Sequence, residues 1–314
     1  MRGLLAFGVV CFHFGLNSFA ERSLGFRGFA LRLCVDVFFL LSGYVLTHSA
    51  RGGLAPGRFA VKRLARLLPV YFACLVALAF ITVAPLADWL LLSPFLGHEL
   101  LNGPGWSICA ELYFPVLAVA SGLRVPDRLV LPLLPLTLLA LGWLDLPLPT
   151  ADGNHLERGV VGLLGGHLLY RAQLGWRVPF LPALAAMIGL MAAAMYVPAL
   201  ALVLPFAAAL VIIGGRGDHG LLTRQPFQWL GVVSYTVYLS HWPVLIVMER
   251  IWGKALDSNP PLKLTGIAMA TLAAWVLTVL VERPAMRLAA RLLADSRLRK
   301  ADLAVSPGSV KGRQ

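Results

Sequence analysis

Charge is scarce in this 314-residue chain: Asp, Glu, Lys and Arg together make up 13% of it. A soluble domain carries roughly 25%, and so few charges do not coat two soluble domains of this combined length. Signatures of several enzyme classes are missing too. There is no G-x-x-x-x-G-K-S/T, H-E-x-x-H or G-x-S-x-G, so nothing argues for a nucleotide-driven pump, a zinc protease or a serine hydrolase. The four cysteines (Cys11, Cys34, Cys74, Cys109) contain no C-x-x-C pair and lie in or beside apolar blocks. Buried thiols are favoured over disulfides or metal ligands, and His98-Glu99 and Cys11-Phe12-His13 lack metal-site spacing. No motif repeats between the halves, which disfavours an inverted-repeat transporter. No cleavable signal peptide is evident, because the first apolar block holds polar groups and lacks a small-residue cleavage site.

What the chain does have is apolar sequence, 59% by composition, in long blocks separated by short polar turns. A spanning helix needs ~20 mostly apolar residues. Ten blocks qualify as candidates: 3–20, 29–49, 64–86, 104–122, 129–147, 157–172, 179–196, 198–214, 229–249 and 262–282. The expected fold is an all-α, polytopic membrane bundle of about ten helices with both termini cytoplasmic. Pro94, Gly97, Gly103, Pro104 and Gly105 interrupt the chain before the fourth block, and an interfacial or re-entrant piece is expected there. The net charge of +12 tests this topology. With both ends inside, 20 of the 27 Lys and Arg fall on the cytoplasmic side and 7 on the other, the sense the positive-inside rule requires. The balance is therefore read as a membrane property, with the lipid bilayer as partner and not nucleic acid. The basic, partly amphipathic end of the chain reads as a cytoplasmic tail.

Ionisable groups inside apolar blocks are functional candidates by default. Arg2 and His13 lie eleven residues apart, within ~20° of one helix face and ~16 Å along the axis. With Arg2 at the cytoplasmic interface, His13 reaches mid-bilayer, where a neutral imidazole can accept a proton; a structural histidine is the competing reading. Asp36 precedes a Phe-Phe pair and needs a partner, for which Arg32 at i−4 is the local candidate, and Gly43, on the same face at i+7, permits close helix approach. Arg63 and Arg66 are i,i+3 neighbours suited to phosphate oxygens, although a plain positive-inside loop looks nearly the same. Ser107 and Glu111 share a face at i,i+4, as do Ser234, Tyr238 and His241 at i, i+4 and i+7. Two such stripes imply a polar cavity between helices; interface-belt Trp and Tyr are the alternative.

Taken in order, these pieces resemble the acyltransferase-3 family of integral membrane acyltransferases. The resemblance rests on Arg2-x10-His13, on Asp36-Val37-Phe38-Phe39-Leu40-Leu41-Ser42-Gly43, and on Arg63-Leu64-Ala65-Arg66 running into Leu68-Pro69. It continues through Trp106-Ser107, Glu111 and Phe114, then Ser234 to Pro243, and ends at Glu282-Arg283-Pro284. Two features depart from it. Members usually carry several residues before the first arginine, and they often read Phe-Tyr where this chain has Phe114-Pro115.

The resemblance implies a multi-pass protein of the inner (cytoplasmic) membrane, with its acyltransferase domain over residues 1–288 and a basic cytoplasmic tail over 289–314. It implies transfer of an acyl, most simply acetyl, group from acyl-CoA (acetyl-CoA) to a carbohydrate hydroxyl of the cell envelope or an exported molecule. Acyl-CoA is then a donor substrate, not a permanently bound cofactor, and no metal is implied. His13 is the implied general base, with Asp36 and Glu111 orienting or tuning neighbours. Arg2, Arg63 and Arg66 serve the donor, and Trp106, Ser107, Ser234, Tyr238 and His241 line the substrate side. A transporter of a polysaccharide or lipid-linked sugar, and a non-catalytic partner of an envelope assembly, are the readings from other classes.

Overall fold

Backbone N–H and C=O groups in hydrocarbon must be satisfied within the chain, which for apolar runs of this kind means helices. A computed structural model of the chain describes residues 1–50, 55–122, 124–144, 146, 156–216, 220 and 222–305, with side chains near its end described to 294. All regular structure among the described residues is helical. In chain order the helices are α1 (Arg2–His13), α2 (Leu16–Leu24), α3 (Cys34–Ala50), α4 (Pro56–Ala79), α5 (Leu86–Trp89), α6 (Trp106–Ala120) and α7 (Asp127–Leu144). They continue with α8 (Leu156–Arg171), α9 (Phe180–Ala193), α10 (Leu204–Gly214), α11 (Gln225–Trp252), α12 (Lys254–Ser258), α13 (Pro260–Leu277) and α14 (Arg283–Val305).

Four helices are long and apolar enough to cross a membrane: Leu31–Ala50, Asp127–Leu144, Gln225–Trp252 and Pro260–Ala294. The bent pair α1 and α2 makes five if it counts as one span. The remaining expected blocks are also helical, but they are short or carry several charges. Helix α9 has 14 residues and α10 has 11, with a 3-10 turn at Pro198–Leu202 between them. The chain is thus an integral membrane protein with an all-helical fold. The tail expected from residue 289 begins without a break, because a π turn at Thr278–Glu282 joins α13 directly to α14; residues 306–314 lie outside the described part.

The first block departs from a straight span. Helix α1 stops at His13, Gly15 adopts a left-handed conformation (φ 65°), and α2 leaves at 66°. A positive φ suits glycine, and the last carbonyls of α1 find a donor on another helix. Lys263 of α13 is buried and donates from Nζ to Phe14 O at 2.8 Å.

Helix contacts define how the elements run. Gly3 meets Leu230 while His13 meets His241, so α1 and α11 lie side by side and parallel. Gly103, just before α6, packs on Trp242, and Ser107 reaches Tyr238, so α6 runs antiparallel to α11. The 80–105 connection is held on the protein by Asp88, which is buried. Its carboxylate accepts from Leu101 N at 2.7 Å and from the Ser93 hydroxyl, and Tyr71 Oη donates to its carbonyl at 2.8 Å.

Helices α3 and α8 pack closest, and glycine makes that possible. A Cβ added at Gly43 would fall 2.1 Å from Leu163 O, and one at Gly166 2.0 Å from Leu40 O. The close approach expected at Gly43 is therefore realised, against α8. Each of Gly43→Ala and Gly166→Ala should lower stability by about 1–3 kcal/mol through overpacking, read by thermal unfolding in detergent. Gly189→Ala, where a Cβ meets nothing within 4 Å, should leave stability unchanged or slightly raised.

Candidate functional site

The parallel course of α1 and α11 sets polar residues at three levels. At the first, Arg2 lies within electrostatic reach of Glu111, Arg66 and Arg63. Arg63 is buried and points a guanidinium nitrogen at Glu111, 2.5 Å from its carbonyl and 3.2 Å from its carboxylate Oε2. Arg66, one turn along α4, is half-buried. Three cations around one carboxylate leave an excess of two positive charges here, and among the described residues Glu111 Oε1 and Arg63 Nε have no hydrogen-bond partner.

At the second level, Tyr238 of α11 occupies the middle. Its ring stacks on Phe38 (6.3 Å, 7° between planes), and the Arg2 guanidinium sits 5.9 Å from the other ring of that pair. The phenol lies beside Ser107, whose Oγ donates to Pro104 O at 3.0 Å. Leu5, Ala6, Val9, Val35, Ser107 and Tyr238 line a narrow crevice between α1, α3, α6 and α11.

The third level is a histidine pair. His13, at the end of α1, has Nδ1 2.8 Å from Nε2 of the fully buried His241, and the two ring planes are nearly parallel (11°) with centroids 5.0 Å apart. Trp242 meets His13 edge-on at 5.3 Å and donates from Nε1 to Leu101 O at 3.0 Å. The tautomers follow from the partners. His241 Nδ1 lies 3.1 Å from Val237 O, which can only accept, so that nitrogen carries the hydrogen. Neutral His241 then presents a lone pair at Nε2, and His13 Nδ1–H donates to it. His13 keeps its own lone pair at Nε2, the arrangement of a base oriented by a second group.

The other expected site residues are placed as follows. Asp36 is buried on α3, and its partner is not Arg32. Arg32 lies in a 3-10 turn that runs directly into α3 at Cys34, and its tighter winding changes the i−4 register of a regular α-helix. Arg158 of α8 takes the role instead, with Nε 3.2 Å from Oδ1 and a terminal nitrogen 2.5 Å from Oδ2. The pair lies within electrostatic reach of the Tyr238 phenol, which ties it to the second level. Trp106 packs against Phe39 at 5.5 Å. Ser234 is buried, but its hydroxyl donates to Gly231 O at 2.8 Å within its own helix.

Arg158 and Lys263, two of the seven cations that the charge count places on the outer side, are buried within the bundle. The glycines at 159, 162, 165 and 166 beside Arg158 were the available signal that this helix end is packed. Glu282 of the Glu-Arg-Pro motif accepts from Thr236 at 2.9 Å, and Thr278 bonds Thr236 at 2.8 Å. The described residues contain no group of three metal-ligating side chains.

Breaking a buried pair is costly because one charge loses its match. Asp36→Asn should therefore destabilise the protein by about 3–5 kcal/mol, measured by thermal unfolding. Replacing both partners, Asp36→Leu with Arg158→Met, should restore most of that loss. Equal destabilisation by the single and double variants would show that the two side chains are not coupled.

Of curated proteins, protein 2 in the picA locus of Rhizobium radiobacter is 37% identical over 84 residues, which cover 25% of this chain and 41% of that relative. The chain thus matches less than half the length of this relative. No solved structure gives a significant match. The acyltransferase domain family known as acyltransferase-3 matches residues 1–280, most of the chain and all three polar levels. The chain belongs to the acyltransferase-3 family.

Proposed function

We propose that this protein moves an acyl group, most simply acetyl, from cytoplasmic acyl-CoA to a hydroxyl of a cell-envelope or exported carbohydrate. The observation that carries the reading is the oriented His13–His241 pair, which leaves His13 Nε2 as a proton acceptor. It stands at the far end of α1 from the cationic cluster around Arg2. Family membership supports acyl transfer in a membrane.

In this reading the donor phosphates meet the excess positive charge of Arg2, Arg63 and Arg66, and the donor arm reaches into the bundle to bring the thioester near His13. The acceptor oxygen attacks the thioester carbonyl as its proton passes to His13 Nε2. The tetrahedral adduct then collapses, the C–S bond breaks, and the CoA sulfur leaves as thiol with the proton held by His13. His241 keeps the His13 ring in the required tautomer. Glu111 fixes Arg63, while Asp36 with Arg158 shapes the surroundings of Tyr238. Trp106, Ser107, Ser234, Tyr238 and His241 line the path of the substrates.

Ten spans with both ends inside fit this division of the membrane. Two of the seven cations on the outer side, Arg158 and Lys263, are buried and engaged by Asp36 and Phe14. The loop charges are therefore still more one-sided than the raw count. That sidedness supports the reading of a multi-pass inner-membrane protein with residues 289–314 as a cytoplasmic tail.

Label transfer from acetyl-CoA by the purified protein tests the proposal. His13→Ala that still inserts should lose transfer by about 10²–10⁴-fold, the usual worth of a general base; wild-type rates would overturn its role. For the donor site, Arg63→Ala with Arg66→Ala should weaken acetyl-CoA binding at least tenfold in equilibrium dialysis. Unchanged affinity would remove the arginines from donor recognition.

A further inference from the structure

The turn leading into α6 carries an amide whose polar atoms the fold does not use. Asn102 is fully buried, and among the described residues neither its Nδ2 nor its Oδ1 has a hydrogen-bond partner. The backbone around it is firmly held. Leu101 N donates to Asp88, Leu101 O accepts from Trp242 Nε1, and Asn102 O accepts from Gly105 N at 2.8 Å. A buried amide left without partners is expensive, and a leucine would fill similar space without that penalty. The native residue is thus a local conflict between stability and side-chain choice, a pattern expected at functional positions.

Its location supplies the function. The residues on either side of Asn102 both engage Trp242, Leu101 through its carbonyl and Gly103 through packing on the indole. The Trp242 ring in turn meets His13. Asn102 therefore stands at the level of the histidine pair, about two turns of chain beyond Glu111 and the cationic cluster.

We propose that Asn102 is a binding residue for the acceptor, its amide holding a hydroxyl of the carbohydrate beside His13. The choice of ligand follows from the two vacant valences. Nδ2 needs an acceptor and Oδ1 needs a donor, and an alcohol offers both. A thioester carbonyl offers only an acceptor and would leave Oδ1 unmet. A site that hydrogen-bonds a hydroxyl also discriminates strongly against analogues lacking it, so Asn102 contributes to acceptor choice as well as affinity. This proposal rests on the acyl-transfer reading above.

The test uses the full-length protein in detergent, labelled acetyl-CoA, and envelope carbohydrate isolated from host cells lacking the protein as titrated acceptor. Asn102→Leu should raise the half-saturating amount of carbohydrate at least tenfold, while acetyl-CoA affinity stays within twofold of wild type. Asn102→Asp, which keeps one acceptor oxygen and loses the N–H donors, should also raise it. A purely structural Asn102 predicts a changed melting temperature with unchanged half-saturation, and that result would overturn the proposal. If Asn102→Leu does not accumulate, Asn102→Ser reads the same quantity with a smaller polar side chain. Absence of transfer by the wild-type protein would defeat the underlying reading. Normal wild-type transfer with an unaltered Asn102→Leu titration would defeat this proposal alone.

Discussion

An ionisable side chain withdrawn from water into an apolar bundle needs a partner on another helix, and that requirement governs this structure. Arg158 and Asp36 meet across α3 and α8, Arg63 and Glu111 across α4 and α6, and His13 and His241 across α1 and α11. Each pair fixes a rotation of one helix against another, a constraint that non-directional apolar packing does not impose. The glycines of α3 and α8 serve the same end, since they let the two backbones approach until the Asp36 carboxylate and the Arg158 guanidinium touch.

These pairings turn a set of separate helices into an ordered column. Parallel α1 and α11 keep step over some ten residues, and antiparallel α6 brings Glu111, Ser107 and Asn102 to successive heights against them. The cationic cluster, the aromatic crevice and the histidine pair thus differ in chemistry but share one axis. Leu67 O accepts from Tyr235, and Glu282 accepts from Thr236, so residues on the rear of α11 are tied down as well. Those bonds leave α11 little freedom to rotate and hold Tyr238 and His241 toward α1.

Much of this column was legible in the sequence, and the physical reason is periodicity. Arg2 with His13, Ser107 with Glu111, and Tyr238 with His241 are separated by whole helical turns, so a continuous helix aligns each pair whatever surrounds it. Partners chosen by tertiary contact were not legible. Arg158 and Lys263 sit near helix starts and look like loop cations until α3 and α1 are packed against them. Arg32 looks like the partner of Asp36 only if the winding is regular α-helix from 32 to 36, and the span opens with a 3-10 turn instead. Asn102 was hidden by the Gly-Pro-Gly that follows it, because a turn signal says where a chain bends and nothing about what its side chains meet. Span counting met a similar limit, since α9 and α10 are helices whose length alone does not establish a crossing.

The break after His13 has a consequence for distance. Twelve residues make α1 about 18 Å long, against a hydrocarbon layer of about 30 Å. With Arg2 at the cytoplasmic interface, as the proposed reading has it, His13 stands only part of the way through the membrane, and the buried Lys263 ammonium meets the chain just beyond it. On the proposed reading, neither substrate then has to traverse the full layer. The donor arm descends from one face, a single hydroxyl is admitted from the other, and the acyl carbon alone changes sides.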